Sequence, residues 1–164
     1  MTIRLFFLLI ASLLIPYISV SQDSETTNIT MEKMASIPTL HKGQKQFGLG
    51  GAFSGIHNDV MLIAGGANFP NGKPWEAGKK VWWDDIYVLE KSEKGFRWDE
   101  TPHKLPNKLA YGVSITTNEG IICIGGDDGK HIRREVFSLS WNSTKRTVVH
   151  EELPELPCSL AYMT

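Results

Sequence analysis

One segment, residues 67–84, concentrates side chains that can bind or react with a polar ligand. It supplies amide, carboxylate, cationic and aromatic groups within one connection, and connections hold many of the binding groups of proteins. The candidate binding residues are Asn68, Trp75, Glu76, Lys79, Lys80, Trp82 and Asp84. The alternative interpretation is that these charges only solvate a long loop, while Trp82 and Trp83 pack between sheets.

A second, shorter segment combines an acid with arginines. Asp127 directly follows a double glycine, Gly125-Gly126, and Arg133 lies six residues further on. A carboxylate can act as a general acid or base, and an arginine can hold a ligand carboxylate through paired hydrogen bonds. The same segment also holds Asp128, His131 and Arg134. The alternative here is a surface salt bridge.

Histidine and cysteine are too scattered to indicate a metal site. The five histidines lack the close spacing of zinc ligands, and so do the two cysteines, Cys123 and Cys158. An oxidising compartment would permit a disulfide, but Cys123 lies in the apolar run of residues 121–124 and is typical of a small core residue. We expect two free thiols, and neither a metal nor a cofactor.

The composition argues against nucleic acid as a partner. With 17 Lys and Arg against 18 Asp and Glu, the formal net charge is −1, so no broad attraction to phosphate backbones or anionic lipid is expected. The chain of 164 residues is 41% hydrophobic and 10% aromatic, which is too apolar for a disordered chain and predicts a packed core.

The first residues have the pattern of a signal peptide, assigned to residues 1–21. Arg4 provides the positive charge, residues 5–15 are almost entirely apolar, and Ser19-Val20-Ser21 has the small-x-small form of a cleavage site. The alternative is a membrane anchor, but the apolar run is shorter than the roughly 20 residues that span a bilayer. We expect cleavage before Gln22, leaving an exported protein, periplasmic or secreted, with no membrane partner.

Internal repeats organise the rest of the chain. Residues 105–111 (LPNKLAY) recur as residues 156–162 (LPCSLAY), and the apolar run of residues 60–64 before Gly65-Gly66 recurs as residues 121–124 before Gly125-Gly126. Residues 85–89 similarly match residues 135–139. The period is about 50 residues, as in kelch repeats. The first copy carries an insertion between Gly66 and Asp85.

Each copy predicts four strands and no helix. In the first copy these are residues 47–54, 59–64, 85–90 and 95–99, and in the second residues 109–117, 120–124, 134–141 and 145–150. A repeated four-stranded unit with a double glycine after its second strand is the pattern of a kelch-type β-propeller. The predicted fold class is therefore all-β.

The repeats also predict the domain organisation. A polar leader linker covers residues 22–38, a first blade with the long inserted loop 67–84 covers residues 39–103, and a second blade covers residues 104–153. Residues 154–164 are predicted to begin a third blade. Because propellers close with about four to eight blades, we expect this chain to be a fragment.

Several stretches resemble the sialic-acid mutarotases, also named N-acetylneuraminate epimerases, which are exported six-bladed kelch propellers. They are residues 50–55 (GGAFSG), 64–70 (AGGANFP), 71–73 (NGK), 110–114 (AYGVS) and 122–126 (ICIGG). In the founding members these blades come last, whereas here they follow the signal peptide. That order is similar to a cyclically permuted branch of the family, which a ring of blades tolerates.

The resemblance implies interconversion of the α and β anomers of N-acetylneuraminate without a cofactor. For such a sugar acid, the composition of the two loops makes these residues the expected substrate contacts: Asn68, Trp75, Glu76, Lys79, Lys80, Asp84 and Arg134. In the family, the suspected catalytic glutamate and arginine belong to a different blade, expected beyond Thr164. Asp127 and Arg133 occupy the same repeat frame and are the catalytic candidates within this chain. The alternative function is a non-catalytic kelch module that binds a glycan or a protein; the oligomeric state stays open.

We predict that the isolated 164-residue chain is inactive and unstable, because two blades leave an open sheet face and an unpaired edge. Chemical denaturation should show no cooperative transition, and proton NMR should show no acceleration of N-acetylneuraminate mutarotation. Cooperative unfolding together with full turnover would contradict this.

Overall fold

A computed structural model describes residues 30–31, 34, 36–39, 46–93 and 95–163. Both of its large sheets belong to one compact unit, Lys33–Thr164. Within the described residues, the 3-10 turn Pro74–Glu76 is the single helical element, and no helix there is long and apolar enough to cross a membrane. The predicted signal peptide and its cleavage site lie outside these residues.

The first blade, as far as the structure describes it, contains seven strands. They are β1 Phe53–His57, β2 Val60–Ala64, β3 Ala67–Asn68, β4 Val81–Trp82, β5 Asp85–Ser92, β6 Gly95–Trp98 and β7 His103–Lys104. Strands β1, β2, β5 and β6 pair in that order, all antiparallel, and β7 pairs with the beginning of β5. The insertion predicted as a loop forms a small ribbon of its own, because β3 pairs with β4.

The second blade is a regular four-stranded antiparallel sheet. It contains β8 Val113–Thr116, β9 Ile121–Asp127, β10 Ile132–Asn142 and β11 Thr147–Leu153. Sheet order follows chain order from β8 to β11. The prediction of an all-β fold is confirmed. The second repeat has the four predicted strands, and the first adds β7 and the β3–β4 ribbon to its four.

Predictions for the opening strands were too long. The first strand begins at Phe53 and not at residue 47, and β8 begins at Val113 and not at residue 109. Gly51 and Tyr111 have φ of 63° and 62°, and this left-handed backbone interrupts an extended strand. Residues 154–163 contain no strand for the same reason, since Tyr162 occupies the position of Tyr111 with φ of 57°.

The hydrophobic core lies between the two sheets. Alternate residues of β2 and β5 face alternate residues of β9 and β10, as the period of two in a strand requires. The buried side chains include Val60, Leu62, Ala64, Ile86 and Val88 from the first sheet and Ile121, Cys123, Phe137, Leu139 and Trp141 from the second. Cys123 is fully buried, as expected for a core residue, and Cys158 is exposed; both are free.

The double glycines join each repeat to the next. The Gly66 N–H donates to the Leu109 carbonyl at 2.8 Å, and the Gly126 N–H donates to the Leu160 carbonyl at 2.8 Å. A Cβ on Gly65 would lie 2.1 Å from the Leu109 oxygen, and one on Gly125 would lie 2.2 Å from the Leu160 oxygen. Each double glycine is therefore hydrogen-bonded to the LPxxLAY motif that follows it in the chain.

Replacement of Gly65 by alanine should destabilise the full-length gene product by about 2 kcal/mol or more. A left-handed backbone at alanine costs roughly 1–2 kcal/mol, and the new Cβ would also overlap the Leu109 carbonyl. Urea unfolding measures the effect. Gly48→Ala is the matched control, because a Cβ there meets nothing within 4 Å. Equal unfolding midpoints for the two variants would show that the junction does not need glycine.

Candidate functional site

A ladder of backbone hydrogen bonds brings the candidate segments to one end of the blades. The Tyr111 N–H donates to the Gly51 carbonyl at 2.7 Å, and the Tyr162 N–H donates to the Tyr111 carbonyl at 2.7 Å. Bridges between Gly50 and Ala67 and between Ala110 and Asp127 attach the segments that follow the double glycines to this ladder. Residues from the insertion, from the β9–β10 loop and from residues 154–163 thus meet.

Asn68 lies at this end as predicted, but its amide is used within the fold. The side chain is buried, and its Oδ1 accepts a hydrogen bond from the Trp83 indole at 2.9 Å. Its Nδ2 donates to the Phe47 carbonyl at 3.4 Å. These two hydrogen bonds hold the β3–β4 ribbon in place. Asn68 therefore has a structural role at this end of the blades.

Lys80 sits among three aromatic rings. Its Nζ lies 4.6 Å from the ring centroid of Tyr111, 5.3 Å from that of Trp82 and 5.9 Å from that of Phe69. These distances are within the range of cation–π attraction. Lys80 is half-buried, and no carboxylate of the described residues pairs with it. We call Lys80 with these three rings the lysine cage.

A concavity of about 570 Å³ opens beside the lysine cage. Phe69 and Tyr111 belong to both, while Asn68, Lys73 and Glu76 contribute polar groups to the lining. Lys73 Nζ lies 3.7 Å from Glu76 Oε1, and Glu76 also accepts the Lys73 N–H at 3.2 Å. Trp75 is 77% exposed, with Lys73 Nζ 5.5 Å from its ring centroid. This shape and mixture of groups suit a small polar ligand.

The β9–β10 loop pairs Arg133 with Asp128 and not with Asp127. Arg133 donates to Asp128 Oδ2 at 2.6 Å and to Glu135 Oε1 at 3.3 Å. Asp128 also accepts the backbone N–H groups of Lys130 and His131 at 2.8 and 2.7 Å. The hydrogen bond from the His131 N–H contributes most to lowering the pKa of Asp128, which falls to about 2 with the help of the other hydrogen bonds. The guanidinium is therefore neutralised from two sides.

Asp127 is held by a tyrosine of the repeated motif. It accepts the Tyr162 hydroxyl at 2.5 Å and the Gly129 N–H. The hydrogen bond to Asp127 raises the pKa of Tyr162 to about 12, with smaller contributions from burial and from the Asp127 charge. Tyr162 in turn stacks on Tyr111 with ring centroids 4.8 Å apart. Asp127 thus adjoins the lysine cage through these two rings.

The other predicted binding residues lie outside the concavity. Arg134 pairs with Glu155 at 2.6 Å, and Asp84 pairs with Lys104 at 2.8 Å. Lys79 is exposed, next to the cage in the chain. The residues that the sequence reasoning missed are Phe69, Tyr111 and Tyr162. The signal for the two tyrosines was present, since both end the repeated motif LPxxLAY.

Two histidines, His57 and His103, take part in the contact between the blades. At the opposite end of the strands, His57 Nδ1 accepts the Trp141 N–H at 2.9 Å, and Asn58 donates to the Trp141 carbonyl at 2.9 Å. His103 packs edge-on against Trp141, and burial lowers its pKa. In the part of the chain that the structure describes, no three His, Cys, Asp or Glu side chains converge as metal ligands would.

Two successive antiparallel sheets, one of five strands and one of four, are joined by double glycines and have their connections gathered at one end; they define blades of a kelch-type β-propeller. A family model described as "NANM: N-acetylneuraminate epimerase" matches residues 19–148. The chain belongs to the N-acetylneuraminate epimerase family.

Individual relatives agree with this assignment. The chain is 38% identical over 128 residues to an N-acetylneuraminate epimerase of Vibrio cholerae, covering 72% of this chain and 32% of the relative. It is 35% identical over 132 residues to one from Yersinia enterocolitica, covering 74% and 32%. A solved structure titled "Structure of YjhT" superposes with a TM-score of 0.52 and 30% identity, covering 63% of this chain and 31% of that one. The chain spans about a third of the length of these relatives.

Loss of the Asp128 carboxylate should weaken the β9–β10 loop in a pH-dependent way. The folded pKa of about 2 lies below the ordinary value of about 3.9. The charged carboxylate therefore stabilises the fold above pH 4, and that contribution is lost as the pH falls from about 4 towards 2. In the full-length gene product, Asp128→Asn should lower the free energy of unfolding at pH 7 by about 1–3 kcal/mol.

Urea unfolding at pH 7 and at pH 3 tests this expectation, and the difference from wild type should shrink at pH 3. Asp59→Asn, at an exposed acid of the β1–β2 hairpin, is the matched control and should behave like wild type. A deficit in Asp128→Asn that does not change with pH would contradict the assigned cause.

Proposed function

We propose that the full-length gene product is a sialic-acid mutarotase that interconverts the α and β anomers of N-acetylneuraminate. Membership of the N-acetylneuraminate epimerase family supports this activity. The observation that carries it to this site is the half-buried Lys80 ammonium, which has no described carboxylate partner and lies over Phe69 and Tyr111, two rings that line a concavity of about 570 Å³. A cation so placed favours an anionic ligand, and the substrate is a sugar acid.

The reaction requires opening of the hemiketal and closure on the other face of the carbonyl. A base removes the proton of the anomeric hydroxyl while an acid protonates the ring oxygen, and the two roles reverse on closure. One C–O bond breaks and forms again with no change of oxidation state, so the mechanism needs correctly placed acids and bases and no electron carrier. The protein's task is to bind the sugar acid, orient it and place these groups.

Within this chain, we assign the concavity to substrate binding. Glu76 and Lys73 supply polar groups at its lining, and Phe69 and Tyr111 supply flat apolar faces for a sugar ring. Asp127 is the acid of the described residues that adjoins the cage, through Tyr162 and Tyr111. Arg133 is occupied by Asp128 and Glu135, so we assign it to the loop and not to the substrate. By resemblance, the main catalytic pair belongs to another blade.

We also propose that the protein is exported. Residues 1–21 have the charge, apolar run and small-residue site of a signal peptide. The relatives named above are bacterial, so export would place the protein in the periplasm or outside the cell.

The full-length gene product should accelerate the approach of N-acetylneuraminate to anomeric equilibrium. Proton NMR resolves the two anomers and follows their interconversion after the crystalline sugar, a single anomer, is dissolved. Buffer and heat-denatured protein are the controls. A rate equal to that in buffer would refute the mutarotase proposal, and binding of the sugar without acceleration would support a non-catalytic glycan-binding module.

A further inference from the structure

We propose that Lys80 is the specificity-determining residue of this site: its caged ammonium selects a ligand carboxylate over a neutral group at the same position. This inference rests on the proposed function for the identity of the sugar acid. Three observations support it, namely the pairing of the neighbouring cations, the rings that surround Lys80, and the position of those rings on the concavity.

The first observation is that, apart from the exposed Lys79, the cations on the elements around the cage discussed above have carboxylate partners. Arg133 and Arg134 lie 2.6 Å from Asp128 and Glu155, respectively. Lys104 lies 2.8 Å from both Asp84 and Asp85, and Lys73 lies 3.7 Å from Glu76. The interactions of the Lys80 ammonium within the described residues are, by contrast, with aromatic rings. It is the half-buried cation whose charge remains for a ligand.

The rings attract the ammonium but cannot neutralise it. An aromatic face contributes through its quadrupole and carries no net charge. A cation that is partly removed from water without a counter-charge is unfavourable, and a carboxylate relieves this through a charge-assisted hydrogen bond. A neutral ester or amide at the same position provides no counter-charge. The cage therefore discriminates by charge and not only by shape.

The second observation is that the cage fixes the ammonium from both blades. Phe69 and Trp82 come from the insertion of the first blade, and Tyr111 comes from the beginning of the second. Tyr111 is held by its N–H bond to the Gly51 carbonyl and by stacking on Tyr162. Gly129 lies against the Trp82 ring, where a Cβ would come within 2.8 Å of it. A long flexible side chain is thereby confined to one position.

The third observation places the ligand. Phe69 and Tyr111 line the concavity, and Lys80 Nζ lies 4.6 Å from the Tyr111 centroid. A sugar ring packed on these faces would bring its carboxylate to the ammonium. Phe69, Trp82 and Tyr111 are thus positioning residues, and Lys80 makes the contact.

Calorimetric titration of the full-length gene product with N-acetylneuraminate and with its methyl ester tests the proposal. Wild type should bind the acid more tightly than the ester. Lys80→Met should raise the Kd of the acid about 10- to 100-fold, the loss expected for a hydrogen bond to a charged group, and should leave the Kd of the ester unchanged. Lys80→Arg should restore most of the preference. Lys108→Met, at an exposed lysine, is the matched control and should bind both ligands like wild type.

The positioning role of the cage has its own matched pair of variants. Tyr111→Phe keeps the aromatic face and should retain the preference for the acid, whereas Tyr111→Leu removes the face and should reduce it. A purely structural role would weaken acid and ester binding equally in Tyr111→Leu. That outcome would overturn the assignment of Tyr111.

The outcomes separate this proposal from the proposed function. Equal affinity of wild type for acid and ester, or an unchanged preference in Lys80→Met, would overturn the role of Lys80 whatever the NMR assay shows. A preference for the acid that Lys80→Met abolishes would support the proposal, even if the protein fails to accelerate mutarotation and the proposed function is refuted. The wild-type comparison needs no variant, so equal affinities would overturn the role of Lys80 even if Lys80→Met does not fold.

Discussion

The contact of each double glycine with the next repeat governs how the blades and their connections are arranged. A Cβ on Gly65 or on Gly125 would lie 2.1 Å from the Leu109 oxygen or 2.2 Å from the Leu160 oxygen, respectively. The hydrogen bond at this point fixes the distance between successive repeats. Two residues after each of these leucines, Tyr111 and Tyr162 have positive φ, and this left-handed backbone interrupts the extended chain. The position of Tyr111 in the candidate site is a consequence of this junction.

Charge is distributed unevenly at this end of the blades, because some cations are paired with carboxylates and Lys80, within the described part of the chain, is not. Arginines and lysines on the outer strands and loops are paired with carboxylates, and the desolvation cost of those pairs is small because they remain partly in contact with water. Lys80 is surrounded by rings from two blades and keeps its charge unpaired among the described residues. Cations of the same residue types are thus paired in the loops and, at Lys80, remain available for the proposed ligand.

Much of the fold was predictable because its signals are local or repeated. Alternating apolar residues predicted β2, β5, β9 and β10, and the recurrence of LPxxLAY revealed the period from the sequence alone. The starts of β1 and β8 were mispredicted, since the left-handed backbone of Gly51 and Tyr111 depends on contacts with the next repeat. The partner of Arg133 was not predictable either, because spacing along a loop does not show which of two adjacent acids points towards the guanidinium.

Residue types at fixed spacing were enough to establish the all-β class, the repeat and the family resemblance, and they predicted the segment that holds the candidate site. Which of those residues act together depends instead on how the blades pack. Packing buried Asn68 within the β3–β4 ribbon, neutralised Arg133 and surrounded Lys80 with Phe69, Trp82 and Tyr111. Two of these rings come from one blade and the third from the next, and contacts between residues so far apart in the chain exist only after the blades have packed.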